Sequence, residues 1–158
     1  MNTRICILTI LLAAMAACTQ ETEEQVVADA PESATVPAIF PRTQSAPGAS
    51  VFFIMPADGA TLSNPVILEF GIDGMVVVKA GDNRPNSGHH HLLIDTGLPD
   101  LGLPVPADDQ HVHFGDGSTA TEITLSPGEH RLQILLGDYL HIPHDPPVVS
   151  EPIIITVE

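Results

Sequence analysis

Eight histidines fall between residues 89 and 144 of a 158-residue chain, most of them in three short clusters. The first is the run His89, His90, His91 in "SGHHHLLIDTG"; the second is His111 and His113 in "HVHFG"; the third is His141 and His144 in "GDYLHIPHDPP". Neutral imidazole is a borderline ligand that suits copper(II), zinc or nickel. In an extended segment alternate residues face opposite sides, so His89 and His91 share one face with Leu93 and Asp95, and His90 shares the other with Leu92 and Ile94. The second face is the more apolar. That parity makes His90 the structural member and leaves His89 and His91 as ligands.

The same rule places Val112 and Phe114 toward a core and His111 and His113 together on the opposite face, about 6–7 Å apart at Cα, within reach of one ion. His141 and His144 flank Ile142-Pro143, a stiff segment that holds side chains at low entropic cost. Asp95, Asp138 and Asp145 lie close by in sequence, placed either to ligate or to orient an imidazole through its second nitrogen. His130, on the parity of Leu132 and Ile134, reads as a core or edge histidine. The expected metal ligands are therefore His89, His91, His111, His113, His141 and His144, more than one ion needs. The alternative is that these imidazoles bond to loop backbone and brace the long connections. The helical zinc motif H-E-x-x-H is absent, and the cupin pattern fits poorly because "PGEH" is shorter than its second element requires.

The elements that must position these residues are short apolar runs separated by turn chemistry. Residues 51–56, 66–72, 75–81, 89–95, 119–125, 130–138 and 151–158 read as strands, with a short extended piece at 111–115. Asp58-Gly59, Asp73-Gly74 and "SPGE" mark turns, and the 75–81 run is expected to return along 66–72 after the Asp73-Gly74 turn. No stretch carries a helical period. The pattern predicts an all-β domain, an immunoglobulin-like β-sandwich of about seven strands, with a jelly roll or small barrel as the second choice.

The N-terminus reads as a targeting segment. Arg4 precedes an apolar stretch from Ile5 to Ala17, too short to span a bilayer, and small residues lead into Cys18. This matches a bacterial lipobox with methionine at the usual leucine position, which predicts a lipoprotein signal peptide over 1–17 and lipid on Cys18. The alternative is an ordinary cleaved signal with an incidental cysteine. Thr19 after the cysteine directs such a protein to the periplasmic face of the outer membrane. Cys6 is then lost with the signal, and no free thiol remains for catalysis or for a thiolate zinc site. Residues 18–48 are rich in Glu, Ala, Pro, Ser and Thr and read as a flexible tether, with the folded domain at 49–158. A domain of that size buries roughly 60–68% of its unfolded surface, enough for one core. The formal charge of −15, with only five Lys and Arg, argues against nucleic acid as a partner. The membrane, reached through the lipid, and an envelope protein are the partners that remain.

"SGHHHLLID", "HVHFGDG" and "LSPGEHRLQILLGDYLHIPHDPPVVSEPIIITV" resemble the bacterial family known as domain of unknown function 4399, small exported proteins that are often lipoproteins. The resemblance runs from about Val51 to the C-terminus. Where the family pattern has a glutamine and a glutamate after "HFG-x-G", this chain has Ser118 and Ala120, while the histidine positions are kept. The resemblance implies the domain boundary and the exported state, and it carries no activity. Residues 55–70 are also similar to the opening of periplasmic copper-resistance sandwich domains, through a turn pattern that is widespread. Three functions follow from the residues: a module binding copper(II) or zinc, a non-catalytic envelope scaffold with structural histidines, and a metal-dependent enzyme using Asp95, Asp138 or Asp145 as base. With only Met55 and Met75 as thioethers in the folded part, copper(I) storage is disfavoured.

Overall fold

A computed structural model describes residues 41–158, and the expected signal peptide, Cys18 and most of the tether lie outside the described residues. Among the described residues there are nine strands: β1 (Ser50–Met55), β2 (Thr61–Leu62), β3 (Val66–Asp73), β4 (Val76–Val77), β5 (Ser87–Ile94), β6 (His111–His113), β7 (Ala120–Ile123), β8 (Gly128–Gly137) and β9 (Ile153–Val157). They form two sheets. One has the order β1-β3-β7; the other has the order β2-β9-β8-β5-β4, with β6 paired to β5. No helix occurs among the described residues. The all-β sandwich is as expected, with nine strands rather than about seven.

Strand alternation builds the core directly. Val66, Leu68 and Phe70 of β3 point inward and meet Leu132, Ile134 and Leu136 of β8 and Ile153, Ile155 and Val157 of β9. Intervening Ile67 and Ile154 face solvent. Two expectations fail. β4 does not return along β3; it pairs in parallel with β5, through Val76↔Ser87 and Val77↔Gly88. The Asp73-Gly74 turn therefore carries the chain from one sheet to the other. β2, hidden in a stretch that reads as turn, adds two residues in parallel to β9. Both strands are short pairings set by their partners, and two residues carry no period.

β5 is the strand that matters for function. It runs antiparallel to β8 on one side and to β6 on the other, and it is buried on both faces. His90 and Leu92 face the inter-sheet core. His89, His91 and Leu93 face outward, where Leu93 packs with Val105, Leu135 and Val149 under the returning loops. Val105 is tied down by its N–H donating to the His141 carbonyl at 2.9 Å.

Arg42 to Ala49 lie against the domain rather than apart from it: the Ser45 N–H donates to the Asp145 carbonyl, and the Asp145 N–H to the Thr43 carbonyl. Prolines and small polar residues mimic a linker in composition, but here their backbone groups find partners on a neighbouring loop.

Asp95 and His130 close the far end of β5 against β8. Asp95 adopts φ 55°, and its carboxylate accepts from the Arg131 N–H at 2.8 Å and from His130 Nδ1 at 2.7 Å. His130 Nε2 meets the Ser126 carbonyl at 2.8 Å. Burial opposes charge on His130, but the Ser126 carbonyl and the Asp95 carboxylate outweigh it and raise its pKa. A histidine raised in the folded state adds stability that is complete below the unfolded value of about 6.5 and is lost as pH rises through the folded value. The stability gap between the wild type and His130→Gln, read from urea midpoints, should narrow as pH rises from about 6 to 8; a constant or widening gap would contradict the clamp.

Candidate metal centre

Three remote segments deliver imidazoles to one place on the outer face of β5. His89 sits opposite Gly137 of β8. His113 sits opposite His91, on β6. His141 comes from the loop after β8. One ring nitrogen each from His89, His113 and His141 lie within 4.8 Å of one another. The ring centroids are 4.9 Å apart for His89–His113, 5.0 Å for His89–His141 and 4.7 Å for His113–His141. His91 adjoins all three, at 4.8 Å from His89, 5.0 Å from His113 and 6.0 Å from His141. Four imidazoles therefore form one cluster.

The cluster is enclosed on the sheet side and open on the other. His89 and His91 are 0% and 1% exposed, His141 is half-buried, and His113 is exposed. Two glycines make room for the rings. A Cβ on Gly137 would lie 2.6 Å from His91 Cε1, and one on Gly115 would lie 2.3 Å from His113 Cε1. These spacers are invisible as site residues in the sequence; the only signal is a glycine adjoining each histidine cluster.

Both ring nitrogens of His89, and Nδ1 of His91, are buried with no hydrogen-bond partner. A buried polar atom without a partner costs about 1–3 kcal/mol, so these nitrogens either carry a penalty or await a ligand. The electrostatics keep them able to take one. Burial lowers the His89 pKa to about 4, with the neighbouring His113 and His141 adding to the effect and Asp138 opposing it. Burial and the same like-charged neighbours push His91 to about 2. His113 is lowered by burial and by His141, against Asp116. His89, His91 and His113 are thus neutral near pH 7, and a neutral imidazole is the form that ligates. With metal–nitrogen bonds near 2.0–2.1 Å, a tetrahedral site needs nitrogens about 3.4 Å apart, so modest ring rotations close the observed spread. The triad can hold a metal ion.

The other expected residues go elsewhere. His111 lies on the same face but bonds through Nδ1 to Asp108 at 2.7 Å. His144 faces the side of β5 that bears Gly88, with Nε2 on the Ser87 carbonyl at 3.1 Å and Nδ1 3.4 Å from the Leu136 carbonyl. It braces backbone between β5 and β8. Asp95 serves His130 rather than the cluster, and Asp145 pairs with Arg42 at 3.3 Å. Asp138 touches no imidazole: its Oδ1 accepts from the Leu140 and Ile142 N–H groups and its Oδ2 from Thr43 Oγ1. His90 lies on the core side as expected, 5.3 Å from the Phe70 ring, and burial lowers it to about 4 with the Ser118 backbone partly opposing.

The fold and site together define a two-sheet β-sandwich with an imidazole cluster on the outer face of one sheet. The family model described as Domain of unknown function (DUF4399) matches residues 68–158, a span that holds all four clustered histidines, and the chain belongs to that family. No curated protein and no solved structure matches the chain.

Two outcomes test this geometry. Histidines lowered in the folded state give stability that is present above pH 6.5 and is lost as pH falls toward about 4 for His89 and His90, and lower still for His91. The fall of His90 from 6.5 to about 4 is worth about 3 kcal/mol. His90→Leu should therefore lose less stability than the wild type between pH 7 and pH 4 in denaturant titrations, and equal losses would contradict a neutral buried ring. Separately, Gly137→Ala should destabilise the metal-free protein by about 1–3 kcal/mol through overpacking against His91; an unchanged melting temperature would show that the ring has room to spare.

Proposed function

We propose that this chain is an exported, lipid-anchored envelope protein whose sandwich binds a divalent first-row transition metal, copper(II) or zinc, through His89, His113 and His141, with His91 as a fourth imidazole. The observation that carries the reading is the convergence of three ring nitrogens within 4.8 Å, one of them on a histidine whose two nitrogens are buried without partners. An all-nitrogen donor set favours these ions over magnesium or calcium, which take oxygen. Met75 lies in the inter-sheet core and Met55 on β1, which leaves soft copper(I) chemistry without support. Each aspartate expected as a catalytic base is engaged in another contact, which favours binding over hydrolysis. Anchoring through Cys18 at the periplasmic face of the outer membrane rests on the lipobox-like sequence.

Titration of the purified protein with copper(II) or zinc, with a chelator control, should show one saturable site of submicromolar affinity. At free metal 100 times the dissociation constant, binding should add about 2.7 kcal/mol of stability. His113→Ala and His141→Ala should each weaken binding at least about tenfold, while His111→Ala should not. Equal losses in the His111 and His113 variants, or no saturable uptake, would sink the proposal in favour of a scaffold with structural histidines.

A further inference from the structure

The loop that brings His141 to the cluster is held from an unexpected quarter. It runs from Asp138 to Pro143 and is closed by the Gly137↔Pro143 bridge and the Asp138 N–H to Ile142 carbonyl bond at 2.9 Å. His141 itself adopts φ 67°, a left-handed conformation that costs a non-glycine residue energy and persists only where its surroundings impose it. Asp138 imposes it. Its carboxylate is 1% exposed, and its Oδ1 takes the N–H groups on either side of His141, from Leu140 at 2.8 Å and Ile142 at 3.0 Å. Its Oδ2 is fixed by Thr43 Oγ1 at 2.6 Å. One residue earlier, Arg42 wraps the descending side of the same loop: Nε donates to the Pro143 carbonyl at 3.0 Å, Nη2 to the His144 carbonyl, and Nη1 to Asp145 at 3.3 Å. Backbone bonds between Thr43–Ser45 and Asp145 complete the contact.

We infer that Thr43 and Arg42, in a stretch whose composition reads as linker, are positioning residues for the metal ligand His141, acting through Asp138 and the loop backbone. The inference rests on the metal reading above. The hydroxyl of Thr43 orients a buried carboxylate, the carboxylate sets the backbone around His141, and that backbone aims the imidazole at His89 and His113. Neither Thr43 nor Asp138 bonds to a ring nitrogen of the cluster. Partners of this kind matter to affinity because a ligand left to wander must be ordered at the moment of binding.

The test uses the full chain and copper(II) alone. Thr43→Val keeps the shape and removes the donor; Thr43→Ser restores it. Thr43→Val should weaken copper(II) binding about tenfold and alter the nitrogen hyperfine pattern of its electron paramagnetic resonance spectrum toward that of His141→Ala, with Thr43→Ser returning both to wild type. Should Thr43→Val fold poorly, Arg42→Met removes the second set of contacts and should shift affinity and spectrum the same way. If Thr43→Val and Arg42→Met lower only the melting temperature of the metal-free protein, and bind copper(II) with wild-type affinity and spectrum while His141→Ala does not, the positioning role is overturned and the contacts are merely structural. If His141→Ala also binds as the wild type does, the metal reading fails and takes this inference with it.

Discussion

Desolvation of the imidazoles on β5 is the constraint from which the rest of the structure follows. A strand of a two-sheet sandwich ordinarily turns one face to solvent. β5 has neither face free: the inter-sheet core covers one, and the loops over Val105 and Val149 cover the other. Three histidines in that strand therefore lose water on both sides. His90 packs against Phe70, and both of its ring nitrogens are buried without a hydrogen-bond partner. His89 and His91 are surrounded largely by other imidazoles, which cannot all be charged at once, and three of their four ring nitrogens are buried without a hydrogen-bond partner. Neutral rings with unused lone pairs, held in place by packing, suit a borderline cation.

The same requirement explains the loops. Long connections in a sandwich usually lie at its ends, yet here segment 95–110 and segment 138–150 lie across a sheet face. They bury Leu93 and Leu135 and bring His141 with them. The glycines at 115 and 137 are part of this arrangement, since side chains there would occupy the volume of the rings. The far end of β5, by contrast, has a histidine that is well served: His130 has an acceptor at each nitrogen, and its preference for charge is the reverse of that in the cluster. One domain thus holds histidines of opposite character: burial, with neighbouring imidazoles adding to it, lowers His89 and His91, whereas oxygen acceptors at both nitrogens outweigh burial at His130.

Much of this was legible in the sequence, and the parts that were not have physical reasons. Period-two alternation separated His90 from His89 and His91, and Val112 and Phe114 from His111 and His113, because strand geometry leaves no other choice once one face is apolar. It could not separate His111 from His113. Those two share a face, and what divides them is lateral position: His113 pairs with His91, whereas His111 pairs with Leu93 and finds Asp108. Nor could it divide His141 from His144, since a loop has no period. The aspartates were hard to read for a related reason. Proximity in sequence does not say what each will bond: Asp95 crosses to His130, and Asp138 bonds the backbone on either side of His141 rather than a ring nitrogen. The linker-like stretch before residue 49 hid its role because composition records what a segment lacks for building a core, not which backbone groups it will meet.

The spacing of the three ligand-bearing segments has one more consequence. His89, His113 and His141 are separated by 24 and 28 residues (113 − 89 and 141 − 113). A cation joining them would be a covalent-like staple between β5, β6 and the loop after β8, closing two loops at once. For a disulfide, a closure of that length restricts the denatured chain by on the order of 3 kcal/mol. The staple differs from a disulfide in being removable by a chelator or by protons. Fastening of the larger sheet would then follow the supply of metal around it, in a fold with no thiol among its described residues to do the same work.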